Sequence, residues 1–233
     1  MSLSLPFAGR RKEAALLQRL HAQRKHALIL GPAGVGKTAL LCQAASRLPL
    51  LLCPYSIRLS DICSALESQL GLEAGGRRII PRKNRLLRTL GEAGQTVVFD
   101  GVGWTTPKLS SFLESVMGRV PVWIAARSEH SWDIGHLWPL LARFVKVEIK
   151  PFRPAETRGL IGAAIRLGIA PASAAEAAGR LHHLCAGNPK VLGELIEGLA
   201  SGDYDPRKKF DLRLLDLDRR IQHLPASGAP RRL

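Results

Sequence analysis

Apolar residues come in short blocks along this chain, and the blocks follow two different periods. Residues 26–30, 50–55, 96–100 and 120–127 are nearly continuous apolar runs, as buried strands are. Residues 144–149 alternate at period two, which predicts a fifth strand. The stretches between them carry helical spacing. Ala14, Leu17 and Leu20 mark a stripe within 11–24, and Ile62, Leu66 and Leu70 recur every four residues within 59–70. Further helices are predicted from residue 39 to near Pro49, over 107–117 and over 133–142. Strands that alternate with helices predict an α/β fold, a parallel five-stranded sheet covered on both faces. Pro151-Phe152-Arg153-Pro154 breaks this rhythm, and 156–167, 172–185 and 191–199 then read as a small all-α unit. The expected organisation is an αβα domain over 1–150, a helical unit over 151–200 and a charged tail over 201–233. That tail holds an amphipathic piece (Leu212, Leu215, Leu217, Ile221), and residues 225–233 are predicted to be disordered.

The first strand runs into Gly31-Pro32-Ala33-Gly34-Val35-Gly36-Lys37-Thr38, a G-x-x-x-x-G-K-[ST] loop, with a helix after it. Strand, glycine loop and helix are the context in which this pattern binds phosphate. Glycines let backbone N–H groups turn inward, and the helix start adds its positive dipole end. Lys37 would reach the β- and γ-phosphates, and the Thr38 hydroxyl would ligate Mg²⁺. The third apolar run ends in Asp100, where a carboxylate can hold the same metal. A nucleoside triphosphate, with Mg²⁺, is the expected ligand. Gly31, Asp100 and Arg127 all fall at the carboxyl ends of predicted strands, where ligands bind in open α/β sheets.

Charge adds a partner class. The chain has 34 Lys and Arg against 19 Asp and Glu, a net charge of +15, the footprint expected of nucleic-acid contact. Residues 74–91 hold six basic residues (Arg77, Arg78, Arg82, Lys83, Arg85, Arg88) and no acidic one. Arg82, Arg85 and Arg88 recur every third residue of a predicted helix, so one exposed face is expected. That face reads either as a phosphate-backbone surface or as a solvated helix face. The four cysteines (Cys42, Cys53, Cys63, Cys185) are scattered, which suits reduced, buried thiols rather than a zinc site. No apolar run approaches the ~20 residues of a membrane span, and the N-terminus lacks signal-peptide features. A cytoplasmic protein is expected.

The order of parts over about residues 5–200 resembles the AAA+ ATPases, in the branch of initiators, transposon ATPases and STAND signalling ATPases. Phe7-Ala8-Gly9-Arg10 through Glu13 resembles the F-x-G-R-x-x-E box that borders the adenine, which implies nucleotide contact by Arg10. Val97-Val98-Phe99-Asp100 resembles Walker B. The resemblance further implies a sensor role for Arg127 and an arginine finger, given to a neighbouring subunit, at Arg143. Gly187-Asn188-Pro189-Lys190 is similar to the start of the lid helix, which implies nucleotide contact by Pro189 and Lys190; it also reads as an interhelical turn. The family's Walker B continues with a catalytic Glu, and here Gly101 stands in its place. ATP hydrolysis is therefore expected to be weak, unless a carboxylate such as Glu129 substitutes. The expected function is an ATP-dependent assembly switch that self-associates and acts on DNA. The alternative is a STAND-like regulatory ATPase that binds protein partners without nucleic acid.

Overall fold

A computed structural model describes residues 7, 9–73, 76, 78–92 and 94–222. The chain divides into two compact units, Arg10–Lys150 and a second formed by Met1–Gly9 with Pro151–Leu233. Ala8, Arg77 and the tail over 225–233, all part of the sequence reading, lie outside the described residues.

The larger unit holds a five-stranded parallel sheet. Its strands are β1 (Ala27–Leu30), β2 (Leu50–Pro54), β3 (Thr96–Val102), β4 (Val122–Ala126) and β5 (Val145–Glu148). Their order across the sheet is β2-β3-β4-β1-β5. Side chains alternate between two buried layers. Ala27, Ile29, Val98, Trp123 and Ala125 meet α1 (Arg11–Ala22) and α2 (Lys37–Ala45) through Leu17, Leu20, Leu40 and Leu41. Leu28, Val97, Phe99 and Ile124 meet α3 (Leu59–Gln69), α4 (Ile79–Glu92) and α5 (Pro107–Met117). β5 is an edge strand in which Val147 alone is buried, hence its period-two pattern.

Three expectations change in this unit. The helix predicted over 133–142 is broken: a single turn, α6 (Ser131–Ile134), is followed by a 3₁₀ helix at Trp138–Arg143. Gly135 separates them at φ +59°, pressed so close to the Thr105 carbonyl and the Trp104 ring that a Cβ would lie 2.8 Å from the first. The arginine stripe of α4 is not one exposed face. Arg82 and Arg85 turn onto α3 and bind the buried carboxylate of Glu67 at 2.6 and 2.9 Å, and Arg88 is exposed. A buried carboxylate needs that pairing, because taking a lone charge out of water costs several kcal/mol. Cys42 is exposed, whereas Cys53, Cys63 and Cys185 are buried free thiols. Burial pushes the Cys53 thiol up to about 12, so it stays protonated and unreactive.

The smaller unit is helical: α7 (Pro154–Arg166), a 3₁₀ turn at Ala172–Ala175, α8 (Ala178–Cys185), α9 (Pro189–Ala200) and α10 (Lys209–Gln222). Its core is Leu160, Ile161, Leu181, Leu192, Leu195 and Ile196, joined by Leu212 and Leu215 of α10. The sequence reading left 201–233 as a tail outside the helical unit, yet α10 lies in close contact with α9. A Cβ on Gly198 would come within 2.3 Å of Leu215 Cδ1. The amphipathic piece is a 14-residue helix in full.

Candidate functional site

β1 leaves the sheet through Gly31, where only a glycine passes. A Cβ there would sit 2.5 Å from the Ile149 carbonyl oxygen and 3.0 Å from Val35 Cγ1. Pro32, Ala33, Gly34, Val35 and Gly36 form the turn. Gly34 and Gly36 take φ of +76° and +98°, a region L-residues rarely occupy. Gly36 is also the N-cap of α2, whose first turn carries no acidic residue. The loop thus ends on the positive pole of a helix with unpaired N–H groups, a ready anion site.

Four side chains gather beside it. The Lys37 ammonium donates to the carbonyls of Gly31 and Pro32, at 2.6 and 3.0 Å. Its pKa is lowered by burial and then by the Arg127 guanidinium, while Asp100 pulls it back up. Lys37 therefore lies within the electrostatic reach of both residues. β3 carries Asp100 and β4 ends next to Arg127, and β4 lies between β3 and β1. The Thr38 hydroxyl donates to Asp100 Oδ2 at 2.6 Å. A hydroxyl and a carboxylate oxygen held this close are hard donors suited to Mg²⁺, which keeps several waters and takes few protein ligands. Thr38 and Asp100 are the residues that would hold it.

Gly101 follows Asp100 at φ +79°, and the β3–β4 register slips between Asp100 and Val102. The position is a β-bulge, so the backbone at the Walker B Glu site is bent as well as lacking the side chain. Glu129, the possible substitute, is held by Lys146 at 2.5 Å. The segment after the bulge is anchored by Tyr55, whose hydroxyl donates to the Trp104 carbonyl and pairs with the Thr105 hydroxyl. A tyrosine one residue past a strand gave no signal of this in the sequence.

Arg10 is buried in an αL backbone conformation, φ +60°. It donates to the Val35 carbonyl at 3.1 Å and pairs with Glu13 at 3.3 Å. The side chain thus braces the loop at Val35. Arg143 lies elsewhere. It precedes β5, whose first residue pairs with Ala27 at the start of β1, and its charge lowers the pKa of His26. That is the amino end of the strands, opposite Lys37, Asp100 and Arg127, so Arg143 is not brought to the site of its own chain.

Pro189 and Lys190 belong to the helical unit. Gly187 precedes them at φ +72°, and a Cβ there would fall 2.2 Å from the Phe152 carbonyl oxygen. The Phe152 N–H donates to the Gly187 carbonyl at 2.8 Å. Asn188 is the N-cap of α9, its side-chain oxygen accepting from the Lys190 N–H at 3.0 Å, and Pro189 fills the first turn. Lys190 is exposed and lies 3.9 Å from Glu194. Each residue of this signature thus has a local structural reason.

No family model and no curated protein matches the chain. Solved structures do. The chain is similar to the Orc1 protein of Aeropyrum pernix, solved in complex with DNA, at TM-score 0.66 and 14% identity over 95% of this chain and 70% of that one. It is similar to a Walker-type ATPase of Pyrococcus abyssi, at TM-score 0.64 and 18% identity, covering 93% of this chain and 77% of that one. A STAND protein of Pyrococcus horikoshii with a tetratricopeptide repeat sensor matches at TM-score 0.56 and 17% identity. That match covers 97% of this chain but 34% of the longer protein. The chain has the fold of the AAA+ P-loop ATPases.

Proposed function

We propose that this protein binds ATP with Mg²⁺ and acts as a nucleotide-dependent assembly switch on DNA, with slow hydrolysis. The observation that carries the reading is the convergence of the loop 31–38, the Thr38–Asp100 pair and Arg127 at the carboxyl ends of β1, β3 and β4. In this reading the loop amides and Lys37 hold the phosphates, and Thr38 and Asp100 hold the metal. Held there by Thr38 and Asp100, Mg²⁺ would supply neutralisation of the phosphate charge. Arg127 senses the γ-phosphate from the end of β4, and Arg10 keeps the loop in its binding shape. Pro189 and Lys190 are assigned to nucleotide recognition, and Arg143 to a neighbouring subunit, by the family resemblance. A glycine in place of the Walker B Glu removes the positioned proton acceptor for water, a loss of about 10²–10⁴-fold in rate. DNA as the target is supported by the net charge of +15.

A second reading, a STAND-like regulatory ATPase, is favoured by Gly101 together with Gly187-Asn188-Pro189, which resembles the Gly-x-Pro signature by which STAND proteins close the lid over the nucleotide. One set of measurements separates the two. Calorimetric titration with ATP and Mg²⁺ is expected to show binding to the wild type and none to Lys37→Ala; unchanged affinity overturns the phosphate site. Steady-state turnover is then followed against protein concentration, with and without duplex DNA, for wild type and Arg143→Ala. A slow rate that rises with concentration and DNA, and collapses in the variant, supports the DNA switch. Tightly retained nucleotide with no salt-sensitive DNA binding supports the second reading.

A further inference from the structure

The helix α10 has two apolar faces, and only one is used among the described residues. Leu212 and Leu215 are buried in the helical core, and Arg219 reaches Glu194 at 3.1 Å and Asp216 at 2.8 Å. On the other face Phe210, Leu214, Leu217 and Ile221 are exposed by 74, 40, 51 and 53%. Their spacing of four, three and four residues is the a/d seam of a coiled coil, with Leu214 and Ile221 at a, and Phe210 and Leu217 at d. We propose that this stripe is the docking face for α10 of a second copy of this chain, in parallel.

The charges that flank the seam select both the partner and its direction. Arg213 and Arg220 occupy the g positions and are exposed, while Asp211 and Asp218 occupy the e positions. In a parallel pair each g residue meets the e residue five positions on in the partner helix, so Arg213 meets the partner's Asp218, twice by symmetry. In an antiparallel pair g meets g and e meets e, which would set arginine against arginine and aspartate against aspartate. Asp218 already accepts a hydrogen bond from Tyr204 at 2.6 Å. That bond fixes the carboxylate and leaves it acceptor capacity for a guanidinium. The helix is built by packing on α9, so association does not have to order it, the usual obstacle for a short coiled coil. Ile221 at a with Leu217 at d matches the two-stranded preference; Leu214 and Phe210 add no such preference. Four seam residues bury well under the ~800 Å² per partner of a stable interface, so the dimer is weak and reversible.

This contact does not depend on nucleotide, so it is tested on the full chain both as wild type and as Lys37→Ala, which removes the proposed ATP site. Sedimentation velocity over a concentration series is expected to show a monomer–dimer equilibrium in both. Leu217→Asp, an exposed change that leaves the helical circular dichroism and melting intact, should weaken it about tenfold or more. Direction is read by oxidative cross-linking in a Cys42→Ser background. Phe210→Cys alone should form a disulfide-linked dimer, because residue 210 faces its own copy only in the parallel arrangement. A monomer at every concentration overturns the proposal and leaves another protein as the occupant. Cross-linking only between a Phe210→Cys chain and an Ile221→Cys chain overturns the parallel direction.

Discussion

The loop at Gly31 and the loop at Gly187 are both short glycine motifs at the start of a helix, and they are built in opposite ways. The first is held by residues far off in the chain. Ile149 crowds Gly31, Arg10 supports the Val35 carbonyl, and Asp100 takes the Thr38 hydroxyl. In the second, Asn188 caps the helix that Pro189 begins, and among the described residues Phe152 pins Gly187 from outside. In the proposed reading the first loop offers backbone donors to a phosphate, and its shape is imposed largely by residues outside it. At the second loop the Lys190 N–H is already taken by the Asn188 side chain, so the helix start consumes a donor of its own.

The largest expected effects come from filling the two glycines. Gly187→Ala adds a Cβ into the Phe152 carbonyl and forces a positive φ on alanine, which costs about 1–2 kcal/mol before the clash is counted. About 3 kcal/mol in all should lower the melting midpoint of the protein by about 6–12 °C. Hydrogen exchange should deprotect the Phe152 amide, which donates to Gly187. Gly31→Ala should instead cut ATP affinity and raise exchange at 145–149, because the displaced atoms belong to the end of β5. Should Gly187→Ala leave the Phe152 amide protected, the strap is not what closes that loop.

How much of this was readable beforehand follows the same division. The glycine loop over 31–38, the place of Asp100 on a strand and the five strands were visible because each has a local signature, a fixed spacing or an apolar run with a polar end. Arg10 was singled out from a motif as a nucleotide contact, and its hold on Val35 was invisible, since nothing local signals a carbonyl 25 residues away. The arginines of α4 misled because helical spacing places side chains on a face without saying what the face meets. Glu67, fifteen residues before Arg82, turns that face inward. The break at Gly135 escaped because its cause, the Thr105 carbonyl, lies on another segment. α10 was half-read: Leu212, Leu215, Leu217 and Ile221 were seen as amphipathic, but burial alone separates the inner pair from the outer.

A smaller effect sharpens the contrast. Arg10→Ala removes a buried donor from the Val35 carbonyl, worth about 1–3 kcal/mol. It should lower ATP affinity about tenfold while the loop's glycines stay intact. Asn188→Ala removes a helix cap, worth about 1 kcal/mol, and should lower the melting midpoint of the protein by about 2–4 °C. The two variants are compared by titration calorimetry and thermal melting. Equal losses of ATP affinity would erase the distinction between an imposed loop and a self-closing one.

The smallest effect lies at the far end of the same sheet, where His26 precedes β1. Its Nδ1 accepts the Val122 N–H at 3.0 Å, so the folded protein needs the neutral ring. Burial lowers its pKa below the ordinary 6.5, and the charges of Arg143 and Lys25 lower it further. The unfolded chain therefore binds a proton first as pH falls, and the stability from His26 is present above about 6.5. It is lost as pH drops from there through the folded-state pKa. His26→Asn keeps an acceptor for Val122 but cannot titrate, so its melting midpoint should fall less steeply over that interval than the wild type's. ATP affinity at neutral pH should be the same in both, because His26 lies at the amino ends of the strands and the phosphate loop at the carboxyl ends. Identical pH slopes would mean that His26 is not the titrating group. A drop in affinity would mean that the two ends of β1 are coupled, and that the outside support of the phosphate loop reaches beyond Arg10, Ile149 and Asp100.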